Sequence, residues 1–112
     1  MDRLTAYLYD ILSSCREIEE ETDLRGRNFE VFCNDRVYRR FIERNFEIIG
    51  EAMNRVLRLN PDIDISSARK IVNTRNLVIH SYDSLDKEIL WGIVLKHLPV
   101  LVQEIKTLLK IE

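Results

Sequence analysis

With 112 residues, 46% of them hydrophobic and 32% charged, the chain can fold as one domain around a real core and is too apolar for a disordered segment. Its net charge of −2, with 17 basic and 19 acidic residues intermixed, excludes a generically basic polyanion binder but leaves room for a local basic cleft. Three glycines and two prolines supply too few turns for a fold of many short strands, and no apolar run approaches the roughly 18 residues of a membrane span.

Residues 3–21 place Leu4, Leu8, Ile11, Cys15 and Ile18 at 4-3-4-3 spacing, the stripe of an amphipathic helix. Asp2, Arg3 and Asp10 interrupt its start, so it does not read as a signal peptide, and a cytoplasmic protein is expected. The acidic run Glu17, Glu19, Glu20, Glu21 and Asp23 reads as a solvated helix end. Gly26 breaks the chain. A second helix is expected from about 28 to 59, with Phe41, Ile42, Ile48, Ile49, Ala52, Val56 and Leu57 inward and Gly50 available for close helix contact. Its Arg36, Arg39, Arg40 and Arg44 could line a basic cleft or simply form a solvated face.

Asn60-Pro61 ends that helix, because proline disfavours helical geometry in the residue before it. Ser66 or Ser67 can cap a third helix over about 67–81, and a fourth follows from Leu85 to about Lys110. The fourth carries Trp91, Leu95, Leu98, Val102, Ile105 and Leu109 on one stripe. Pro99 inside it cannot bond to the carbonyl of Leu95, so a kink is expected there. His97 beside it reads as a solvent-side or partner-contact residue. Cys15 and Cys33 have no zinc or disulfide spacing and read as reduced core or near-core thiols. The whole chain, 1–112, is expected to be one all-α domain, an antiparallel four-helix bundle.

The chemistry concentrates in Arg75-Asn76-Leu77-Val78-Ile79-His80-Ser81-Tyr82, an R-x4-H-x-Y pattern. Arg75 falls on the apolar stripe of the third helix, with Ala68, Ile71, Val72, Val78, Ile79 and Tyr82. A guanidinium there needs either a carboxylate, for which Glu51 is a candidate, or a cleft that receives an anion. His80 shares a face with Asn76 but stands five residues, about 140° of helix, from Arg75. Those two meet if the helix unwinds near Ser81 or if two chains pair across a symmetry axis. His80 could equally be a surface residue near a helix end, and Tyr82 a packing residue with its hydroxyl outside.

With Arg44 to Ala52 (R-N-F-E-I-I-G-E-A), Asn60-Pro61 with Ile63, and Tyr82, Asp83, Trp91, Leu98 and Pro99 in order, the chain resembles the HEPN superfamily, and within it the HepT-like toxins of prokaryotic toxin–antitoxin pairs. The resemblance covers most of the chain. It departs at Ser81, where many members have glycine, and at Asp64-Ile65, where many have Pro-Trp. The resemblance implies a HEPN-type bundle and a homodimeric, metal-independent RNase without a cofactor. Arg75 would stabilise charge on the phosphate, His80 would act as general acid or base, and Asn76 would position His80 or the phosphate. It also implies a nucleotidyltransferase antitoxin partner, MntA, that transfers AMP from ATP to Tyr82. The other readings open at this point are a non-catalytic module that binds a nucleotide or a nucleotidyltransferase, and a plain helical interaction protein with Arg75 in a salt bridge.

Overall fold

A computed structural model describes residues 1–73 and 87–111, and all of its regular structure over these residues is helical. Helix α1 (Arg3–Leu24) starts at Asp2, whose carboxylate accepts the Thr5 N–H at 2.7 Å. It ends in a Schellman turn: Gly26 takes φ 74°, its N–H reaches Asp23 O, and the Arg27 N–H reaches Thr22 O at 2.9 Å. The stop expected at Gly26 is therefore real, one turn beyond residue 21, because the glycine rather than the acidic run terminates the helix.

The helix expected over 28–59 is in fact two. Helix α2 (Phe29–Asn34) is capped by Asn28, and α3 (Arg36–Leu59) by Asp35. Asp35 has φ −108° and ψ 97°, outside helical geometry. Its N–H closes α2 on Val31 O, while its carboxylate accepts the Tyr38 N–H at 3.0 Å and opens α3. The side chain thus offers the backbone a partner that a continuous helix would not, which is why the chain turns there.

Arg25, at the end of α1, binds Asp35 at 2.9 Å and lies over the Tyr38 ring at 4.5 Å, and Thr22 and Tyr38 share a buried hydrogen bond of 2.8 Å. At the opposite end the Arg55 guanidinium faces the Tyr7 ring. These contacts fix α1 and α3 as an antiparallel pair. Their shared core contains Leu8, Ile11, Leu12, Cys15 and Ile18 from α1 and Ile42, Phe46, Ile49, Met53 and Val56 from α3. Full burial of one such aliphatic side chain contributes roughly 1.5–3 kcal/mol.

Asn60 ends α3, as its position before Pro61 predicts, with its N–H on Val56 O. Ile65 is buried, and Ser66 turns both its N–H and its hydroxyl to Glu104. Ser67 holds the capping place by backbone, accepting the Ile71 N–H, and residues 68–73 are helical. Ala68 and Ile71 are buried and Val72 is half-buried, so the described part of the third stripe faces inward as expected.

The last helical run comprises α4 (Lys87–Gly92), a π turn at Ile93–His97, and α5 (Leu98–Leu109). The disturbance expected at Pro99 takes the form of this π turn. The Leu98 N–H reaches back five residues to Ile93 O, a widened turn placed just ahead of the residue that has no N–H to give. Trp91 packs on Phe32 with ring centroids 5.0 Å apart and on Phe29 at 6.1 Å. That puts the start of the run beside α2, while Glu104 lies beside Ser66; the last helix therefore descends antiparallel to α1. The result is the expected antiparallel four-helix bundle with the short α2 added at one corner. No helix among the described residues is long and apolar enough to cross a membrane.

Candidate active site and family

Arg75, Asn76, His80 and Tyr82 lie outside the described residues, so the structure speaks to the frame that carries them. That frame is firm on both sides. Two residues before Arg75 the chain leaves the described region at Asn73, on a helix held by buried Ala68 and Ile71. It re-enters at Lys87, four residues before Trp91 fixes the run to the aromatic corner of α2. The possible pairing of Arg75 with Glu51, and the question whether Arg75 and His80 meet, fall outside these residues.

Next to the entry flank, Phe46, Ser67, Lys70, Ile71, Ile93 and His97 line a small hollow. His97 is half-buried in that wall rather than wholly on the solvent side, because the π turn ends on it. The Ser67 hydroxyl is buried without a partner among the described residues. On α3, the Asn45 amide donates to Phe41 O at 3.1 Å, while its buried carbonyl oxygen has no donor among the described residues. An unfilled acceptor in a core is costly.

The four arginines in the first three turns of α3 divide by role. Arg39 folds back on the end of α2 and donates to the carbonyls of Phe32, at 3.2 Å, and Cys33. Those are the orphan carbonyls of a short helix, so Arg39 is a structural cap. Arg36, Arg40 and Arg44 are exposed, and Arg44 meets Glu47 at 3.0 Å. Desolvation raises Glu43 above the usual carboxylate range, although Arg39 and Arg40 pull it the other way.

Cys15 offers no activated nucleophile. Burial, reinforced by Glu19, pushes Cys15 up to about 12, and both cysteines are free. Tyr38 is likewise raised by burial against the opposing pull of its Thr22 bond and Arg25. The Thr22–Tyr38 pair and the double cap at Asp35 were missed in the sequence. Asn28 and Asn34-Asp35, three cap-forming residues within eight positions, were the available signal.

No solved structure matches the chain. Among proteins of known sequence, it is 34% identical over 108 residues to the "Probable ribonuclease HepT" of Thermococcus cleftensis, covering 93% of this chain and 94% of the relative. It is 33% identical over 105 residues to "Putative RNase MJ1380" of Methanocaldococcus jannaschii, covering 90% and 92%. With "Putative RNase TTE0752" of Caldanaerobacter subterraneus subsp. tengcongensis it shares 32% over 107 residues, covering 95% and 94%. Residues 11–108 match the family described as "Ribonuclease HepT-like", which takes in the bundle from the middle of α1 to the end of α5. The chain belongs to the ribonuclease HepT-like family.

Proposed function

We propose that this protein is an endoribonuclease, the toxin of a toxin–antitoxin pair, and that it cuts RNA through Arg75 and His80. The observation that carries the reading is the family match over 11–108 together with an R-x4-H-x-Y octapeptide inside it. The chemistry suits those residue types. Attack of a ribose 2′-oxygen on the adjacent phosphorus displaces the 5′-oxygen of the next nucleotide. One imidazole takes the 2′ proton and one gives a proton to the leaving oxygen, tasks for which a histidine pKa near neutrality is suited. A planar guanidinium at Arg75 holds the phosphate oxygens as negative charge builds on them. Asn76 positions His80 or the phosphate.

Two copies supply two imidazoles, so the working form is a homodimer with Arg75 and His80 of both chains at a shared cleft. The reaction as written runs on side chains alone, without a metal. Neutralisation acts on Tyr82: a nucleotidyltransferase antitoxin of the MntA kind transfers AMP from ATP to the phenol oxygen and releases pyrophosphate. The added phosphate lies two residues from His80 in sequence and competes with RNA for the same cation.

The test is cleavage of a mixed tRNA and mRNA substrate in EDTA, with wild type beside His80→Ala. Cutting by the wild type alone is the expected result. Equal cutting by both removes His80 from the site. No cutting by either, from protein whose mass shows Tyr82 unmodified, moves the reading to a binding module for a nucleotide or nucleotidyltransferase. For the switch, incubation with the partner and ATP should add one AMP at Tyr82 by mass spectrometry, and an unchanged mass counts against it.

A further inference from the structure

We infer that Arg36, Arg40 and Arg44 form a phosphate track on α3 that holds the RNA backbone away from the cut bond. The inference rests on the ribonuclease reading and extends it to how substrate is held.

The three arginines stand at i, i+4 and i+8, so on a helix they make one row, with about 6 Å of axial rise between neighbours. All three are exposed. Their carboxylate neighbours are largely engaged elsewhere. Asp35, next in sequence to Arg36, is bonded to the Tyr38 N–H and to Arg25. Glu43 sits on the flank, with its pKa drawn down by Arg39 and Arg40 but raised more by burial. Among the described residues no carboxylate comes within ion-pair distance of Arg36 or Arg40. Arg44 does have Glu47, but its side chain remains 69% exposed, and an exposed pair of this kind contributes little.

Helix polarity sharpens the point. Arg36 is the first residue of α3, and the carboxylate at that end, the cap Asp35, is taken up by the Tyr38 N–H and Arg25, so the row begins where the backbone dipole favours an anion. The same N–H groups and guanidinium forks that repel one another would together attract a polyanion. Arg39, the remaining basic residue of these turns, is withdrawn to the carbonyls of α2, which leaves a single-file row. A repeating polyanion fits such a row better than a protein surface does. Among the described residues, Val31 and Val37 are the large apolar side chains exposed beside it, too few for the apolar anchor that protein interfaces use.

The experiment uses the full chain and a labelled single-stranded 2′-O-methyl RNA oligomer, which lacks the attacking hydroxyl and cannot be cut. Arg36→Ala/Arg40→Ala/Arg44→Ala should keep the wild-type circular dichroism. It should bind at least about tenfold more weakly at moderate salt, and lose about 2 from the slope of log K against log salt, since each phosphate on a single strand contributes about 0.7. On cleavable RNA the loss should fall on KM rather than kcat. The triple Lys variant should recover most of the salt slope, because the slope counts charges. Unchanged affinity and slope, with wild type still cutting RNA, overturns the track and leaves the ribonuclease reading standing. Wild type that neither binds nor cuts overturns both. Intact RNA binding with lost association to the nucleotidyltransferase overturns the track and gives the row to the protein partner.

Discussion

Helices α1 and α3 are nearly equal in length, 22 and 24 residues, and bury their apolar stripes against each other, yet their charge is opposite. α1 carries six carboxylates against two arginines, net −4, whereas α3 carries six arginines against three glutamates, net +3. The inward faces must agree, because both fill one core at crystal-like density. The outward faces need not, and their divergence is what a net charge of −2 for the whole chain conceals. The polar sides therefore hold the freedom to serve a partner or a substrate.

Substitutions can break this comparison in order of effect. Ile11 on α1 and Ile49 on α3 are both 0% exposed. Ile11→Ala and Ile49→Ala should each cost about 2–5 kcal/mol in urea unfolding, near-equal losses for equivalent faces. A cost below 1 kcal/mol at either would contradict the shared core. At the corner that joins them, Tyr38→Phe leaves the buried Thr22 hydroxyl without its 2.8 Å partner and should cost about 1–2 kcal/mol, measured the same way. If Tyr38→Phe is neutral, the hydrogen bond does not hold the corner.

The outer faces should respond differently. Glu17→Gln and Glu20→Gln on exposed α1 positions should stay within about 0.5 kcal/mol of wild type and leave RNA affinity unchanged, in contrast to the arginine row. Glu43→Gln is the smallest and most pH-specific case. Its folded carboxyl is raised by burial, so ionisation there works against folding. That cost is absent at pH values below the ordinary carboxylate pKa, where Glu43 is protonated in both states, and is fully present above the raised folded value. Glu43→Gln should therefore raise the melting temperature slightly at neutral pH and not at pH 3; a gain that is independent of pH would point to packing instead.

Much of this architecture was legible in the chain because apolar period and helix stops are local signals. Leu8, Ile11, Cys15 and Ile18 occupy the buried face that their spacing implies, and Gly26 and Asn60-Pro61 end helices where expected. What escaped was decided by competition between neighbours. Asp35 falls inside the helix expected over 28–59, but its carboxylate finds Tyr38 N–H and Arg25 together and opens a new helix there. Arg39 looked like its neighbours Arg36 and Arg40 and differs only because α2 ends within its reach. Of the candidate site, R-x4-H-x-Y was visible as a pattern, with its family context. The geometry among Arg75, Asn76, His80 and Tyr82 lies outside the described residues, and periodicity alone does not encode it.

The π turn at Ile93–His97 carries a consequence for which lengths of this chain can fold. It stores one extra residue within a continuous helical run. Deleting one residue between Ile93 and His97 would let the run relax to ordinary α geometry with both flanks still facing as they do now, because the widened turn is what absorbs the extra residue. A further inserted residue would instead turn everything after it by about 100°, and Leu98, Leu101 and Ile105, now buried at 1%, 0% and 0%, would swing off the core together. This interior helix can give up the one residue its π turn stores, but it cannot take in another without losing its buried face.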